Sequence, residues 1–113
     1  MRQAGIIAAA GLHVIDNIDF QISKDHKNAK ILADGIDSIK GLNIDSSKVK
    51  SNIIYCRLEK NIMNDDDFLK KCEEHGVLFF KYISGDFRLV THYGVTKEDI
   101  AYTLNTFEKV LSK

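Results

Sequence analysis

The sequence predicts an α/β fold of the two-layer α+β kind, a small and mostly antiparallel sheet with helices covering one face. Three observations predict it. Several segments carry apolar residues at helical spacing between start and stop signals, and three short runs rich in β-branched or aromatic residues lie among them. Ser84-Gly85-Asp86 then supplies a turn that makes the last two of those runs a hairpin.

In chain order, the first helix holds Ala4, Ile7, Ala8, Ala9, Ala10, Leu12, Val14 and Ile15, with few polar positions between them. A helix apolar on most sides is built to be buried, and a chain of 113 residues cannot easily surround it, so it is expected to pack against a missing domain or another subunit. A boundary near Asp16 to Ile18 therefore separates residues 1–18 from a compact unit of residues 19–113. From Asp19 to Lys40, Ile22, Ala29, Leu32, Ala33 and Ile36 form the stripe of a long helix, with Gly41 placed for a left-handed cap. Asn52 to Leu58 is the first strand. Asn64 ahead of Asp65, Asp66 and Asp67 starts a helix with Phe68, Leu69 and Cys72 inward and Gly76 as its stop. Val77 to Phe80 and Phe87 to His92 are the hairpin strands. Thr96 with Asp99 signals a capping box, after which Ile100, Leu104, Phe107 and Leu111 recur on one helical face.

Composition narrows the function classes. Sixteen basic side chains balance sixteen acidic ones with no long run of either sign, so nucleic-acid and membrane-surface partners are not expected. Residues 1–18 are apolar but interrupted by Arg2, Gln3, Gly5, Gly11, His13 and Asp16, which is too polar for a spanning helix and lacks the layout of a signal peptide. Two cysteines, Cys56 and Cys72, fall in a strand and a helix, which favours a reducing, cytoplasmic compartment. Neither they nor His13, His26 and His75 cluster at ligand spacing, so no metal site is expected. The aspartate run at 65–67 is explained by helix capping.

Two strings carry a resemblance: Met1-Arg2-Gln3-Ala4-Gly5 leading into the alanine-rich helix, and Arg88-Leu89-Val90-Thr91-His92 followed by Val95-Thr96. With Asp25-His26-Lys27-Asn28-Ala29 and Asn52-Ile53-Ile54-Tyr55 between them, in order across nearly the whole chain, the sequence resembles the low-specificity threonine aldolase family. The resemblance implies a fold-type I enzyme that uses pyridoxal phosphate, in which a large domain holds the cofactor and a small C-terminal domain closes over the active site. This chain would be that small C-terminal domain, residues 19–113, plus the interdomain helix, residues 1–18. The family's Schiff-base lysine would lie upstream in the missing large domain, so no lysine here takes that role and the chain alone would be inactive. The whole enzyme, expected to be a homo-oligomer, would cleave β-hydroxy amino acids such as L-threonine and L-allo-threonine to glycine and an aldehyde. The sequence departs from the pattern in the polar, glycine-containing stretch from Lys81 to Asp86.

By the resemblance, Arg88 would grip the substrate's α-carboxylate, and its alternation with Phe87 and Leu89 turns it to the face opposite the one they bury. Two parallel guanidinium donors match a carboxylate, a pairing worth about 1.5–3 kcal/mol. Arg2 would lie near the cofactor phosphate, where a permanent cation suits a dianion. Without the resemblance, Arg88 would pass for a surface ion-pair residue and Arg2 for an exposed residue near a chain end. Asn52 and His92 receive no role. The competing expectation is a free-standing α/β interaction or regulatory module that self-associates through its apolar first helix.

Overall fold

The computed structural model describes residues 2–112. Helix α1 (Ala4–Ile15) leads through a turn at Asp16 and Asn17 into the long helix α2 (Ile18–Ser38). Then come β1 (Leu42–Asn43), a 3-10 turn (Ser46–Lys48), β2 (Ile53–Leu58), α3 (Asp65–Glu74), β3 (Phe80–Lys81), β4 (Phe87–Val90) and α4 (Lys97–Leu111). The strands form one sheet in the order β1-β2-β4-β3, antiparallel at every pairing. This is the expected two-layer architecture, with α2, α3 and α4 on one face.

Alternation along the strands builds the core. Ile54, Cys56, Phe87 and Leu89 point inward and are buried against Ala29, Leu32, Ala33 and Ile36 of α2 and Ile100, Phe107 and Val110 of α4. Four phenylalanines knit the layers together: Phe68 of α3 lies 5.4 Å from Phe87 and from Phe107 and 5.9 Å from Phe79, centroid to centroid. Helices α2 and α4 approach closely at Gly35, where a Cβ would collide with the side chain of Leu104.

Local signals set the helix ends. Asn64 accepts from the Asp66 amide at the start of α3. At its far end Gly76, at φ +76°, sends its N–H to Glu73 and lets Val77 reach the Cys72 carbonyl, the two bonds of a Schellman turn. Thr96 and Asp99 make both bonds of the capping box on α4.

The structure corrects the expected elements in four places. Ile22 is exposed, because the buried face of α2 begins only at Asn28 and the first turns of the helix project past the sheet. That helix ends with Ile39 already extended, so the left-handed Gly41 (φ +99°) serves the turn into β1 instead of capping the helix. The two-residue strand β1 was not expected, being too short to show alternation. Within Val77 to Phe80 only Phe80 joins the ladder, because Val77 is tied back to the end of α3 and Phe79 packs into the phenylalanine cluster.

Helix α1 buries none of its residues: Ile6, Ile7, Leu12, Val14 and Ile15 are all more than half exposed. The chain is accordingly elongated, 54 × 27 × 25 Å, with a radius of gyration of 16.7 Å. A compact chain of this length would have about 13 Å.

Two predictions follow from the caps and turns. Gly76→Ala places a Cβ at positive φ and is expected to cost about 1–2 kcal/mol in urea unfolding. Asp99 is held below the ordinary carboxylate range by the Thr96 backbone and hydroxyl, and Asp86 by the Ser84 hydroxyl and then Arg57. Depressed folded values mean that their stabilisation is complete above the unfolded value near 4 and is lost as pH falls through the folded ones. Acid titration of the Asp99→Asn, Asp86→Asn double variant should therefore show a shallower loss of stability below pH ~4 than the parent.

Candidate functional site

The sheet face turned away from the helices has no layer over it among the described residues. Antiparallel register sets Tyr55 of β2, Arg88 of β4 and Phe80 of β3 in one row across this face. Directly opposed residues are nearest neighbours across a ladder, so Arg88 has an aromatic residue as its cross-strand neighbour on either side. Tyr55 is itself braced by Tyr82, edge to face at 5.9 Å. A groove of about 460 Å³ lies where the segment before β3 stands away from β4; Arg88, Phe80 and His92 line it together with Leu32, Ile100 and Tyr102 of the helix layer, while Tyr55 does not.

The cations near this row differ in one respect. Arg57 is taken by Asp86, at 2.6 Å and 2.8 Å from its Nη2 and Nε, and Asp86 also accepts from Ser84 Oγ. Arg88 is half-buried and forms no ion pair among the described residues. An unpaired, half-buried guanidinium that lines a concave groove is suited to bind a carboxylate, because its planar fork matches both oxygens.

The strand bearing Arg88 is fastened just beyond it. Thr91 is 1% exposed, its N–H donates to the Asn52 carbonyl (2.9 Å), and its own carbonyl accepts from Asn52 Nδ2 (2.7 Å). The Thr91 hydroxyl donates to the Asp25 carbonyl of α2 at 2.7 Å, and Asn28 donates to the Val95 carbonyl at 3.1 Å. His92 is exposed and its Nδ1 accepts from the Gly94 amide at 3.2 Å, so the neutral ring carries its proton on Nε2.

Arg2 stands elsewhere. It is exposed at the start of α1, next to Gln3 at φ 58°, and does not line the groove that holds Arg88, so the described chain does not bring the two arginines into one pocket. Among the lysines, Lys81 bonds Asp66 and Asp65, both at 3.2 Å, and these carboxylates raise its pKa. A paired, protonated ammonium is a poor nucleophile. Among the described residues no group of three or more metal-ligating side chains exists and no helix is long and apolar enough to cross a membrane. Tyr55 and Phe80 were not singled out in the sequence. Alternation puts each on a face, but only the register shows that they share a row with Arg88.

Comparisons with known proteins point one way. The family model for beta-eliminating lyases matches residues 1–59. The chain is 32% identical over 112 residues to low-specificity L-threonine aldolase 1 of Arabidopsis thaliana, covering 98% of this chain and 31% of that protein. It is 31% identical over 102 residues to the low specificity L-threonine aldolase of Escherichia coli, covering 89% of this chain and 28% of that one. The chain thus spans about a third of the length of the curated relatives it matches. Among solved structures, a C-DES variant with glycine covalently linked to its PLP cofactor superposes with a TM-score of 0.77 at 17% identity, over 93% of this chain and 28% of that one. A NifS-like protein from Rickettsia africae gives 0.73 at 17% identity, over 87% and 31%. At such identities these structures show the fold alone.

The two thiols lie outside any such site. Burial pushes Cys56 up to about 12, with the Asp86 charge adding to it, and burial alone does the same for Cys72. Thiols that stay protonated are inert, so Ellman's reagent at pH ~8 should leave the folded chain unlabelled and react with both cysteines once it is unfolded in guanidinium.

Proposed function

Because the chain belongs to the beta-eliminating lyase family, we propose that it is the C-terminal part of a pyridoxal-phosphate-dependent threonine aldolase that cleaves L-threonine and L-allo-threonine to glycine and acetaldehyde. The observation that carries this reading is the unpaired Arg88 guanidinium on the open sheet face between Tyr55 and Phe80, in a chain similar to threonine aldolases along 98% of its length. Pyridoxal phosphate, when bound, supplies the electron sink for breaking Cα–Cβ.

The residues of this chain fit a supporting part in that chemistry. Arg88 holds the α-carboxylate of the amino acid and so fixes the orientation of its Cα bonds. Tyr55 and Phe80, its neighbours across the two ladders, border that ion pair. Arg2, exposed and unpaired among the described residues, is the cation for the cofactor phosphate. The apolar surface of α1 is the seat for the large domain, which supplies the Schiff-base lysine, and the assembled enzyme is a cytoplasmic homo-oligomer. The chain by itself is then without aldolase activity.

The exposed apolar helix α1 also suits a free-standing module that associates with itself, and one experiment separates the two. Retro-aldol cleavage of threonine is measured, with pyridoxal phosphate added, for the protein expressed from the reading frame extended upstream of Met1 and for its Arg88→Ala variant. Acetaldehyde release is expected from the extended protein, with kcat/KM lowered about 10- to 100-fold in the variant. No release from the extended protein would overturn the aldolase reading and leave the module, whereas release that the variant does not lower would overturn the role given to Arg88.

A further inference from the structure

Strand β4 is four residues long, and its outer neighbour β3 pairs with it at only two positions. Short ladders open from their ends, and Arg88 lies two residues from the end of this one. What lies beyond Val90 is therefore decisive. Asn52 and Thr91 there exchange two bonds, one from each partner, and the Asn52 side chain supplies the second in place of a backbone amide. The Thr91 hydroxyl then ties the same point to the Asp25 carbonyl inside α2.

Packing alone does not account for the residue types. Position 91 is buried, where a valine of the same shape would fill the space. The hydroxyl adds a 2.7 Å bond to α2, with the Asn52 carbonyl as a second acceptor at 3.5 Å, and the Asn52 amide adds the bond back to Thr91. Slippage of β4 on β2 by one residue would turn Arg88 to the helices and set Phe87 and Leu89 on the open face. Fraying short of that would leave the guanidinium without a defined place between Tyr55 and Phe80.

We propose that Asn52 and Thr91 are positioning residues for Arg88: their reciprocal hydrogen bonds, anchored to α2 through Asp25, hold β4 in the one register that presents the guanidinium on the open face. The proposal rests on the reading of Arg88 as the carboxylate-binding group. Loss of the clasp lowers the fraction of molecules competent to bind, which weakens binding by that fraction and leaves the chemical step untouched.

Two measurements test it. By amide hydrogen exchange on this chain, Thr91→Val should speed exchange at Leu89 and Thr91 or its replacement about five- to tenfold while leaving the Cys72 amide of α3 unchanged, and Thr91→Ser should restore protection. In the upstream-extended enzyme, Thr91→Val should raise KM for threonine by a similar factor with kcat within about twofold, again restored by Thr91→Ser. Should Thr91→Val fail to fold, Asn52→Ala opens the clasp from its other side and is expected to give the same pattern. Unchanged exchange at Leu89 would overturn the proposal, as would an unmoved KM in Thr91→Val where Arg88→Ala raises it. If Arg88→Ala leaves KM unmoved, the carboxylate reading fails, and exchange still decides whether the clasp holds the strand.

Discussion

The register of β4 against β2 is the constraint on which the rest of this chain depends. With Ile54 opposite Leu89 and Cys56 opposite Phe87, four apolar side chains meet the helices, and Tyr55 and Arg88 must face the other way. Core and candidate site are thus two sides of one pairing. A single two-residue period both buries Phe87 against Phe68 of α3 and lifts the guanidinium out of that layer.

Electrostatics act on top of this geometry. Three carboxylates are engaged with cations around the hairpin: Asp86 with Arg57, and Asp65 and Asp66 with Lys81. These exposed pairs contribute little to stability. Their consequence is selective neutralisation, since they satisfy the neighbouring cations and leave Arg88 as a guanidinium without a counter-ion among the described residues.

Much of the fold was legible in the sequence because it is written in local signals. The Thr96 and Asp99 capping box, the Asn64 start and Gly76 stop of α3, and the apolar stripe of α2 from Ala29 to Ile36 are each read within a few residues. The outward direction of Arg88 was legible for the same reason, as alternation with Phe87 and Leu89 needs no tertiary knowledge. What was not legible depends on contacts between distant segments. Ile22 fits the helical stripe yet is exposed because α2 outruns the sheet, and Val77 and Phe79 have strand composition but are drawn out of the ladder by the end of α3 and by Phe68. The roles of Asn28 and Thr91 likewise appear only when α2, β2 and β4 come together. Three of the four short strings that carry the family resemblance turn out to touch: Asp25 and Asn28 bond Thr91 and Val95, and Asn52 bonds Thr91.

The sheet order β1-β2-β4-β3 also bears on how the chain is made. Its central pair joins Ile53 to Val90 across all of α3 and the strand that follows it, so a long loop must close before either strand gains a partner on that side. During synthesis α1, α2 and β2 leave the ribosome before β4 exists, with the stripe from Ala29 to Ile36 and the whole of α1 wet and adhesive. Folding of residues 19–112 is therefore a late event that waits for the segment around Thr91. Once it closes, the stripe is covered and α1 is not, and the apolar surface left to a chaperone or a second folded domain lies on that helix, on the first turns of α2 and around the hairpin at Leu78, Phe80 and Ile83.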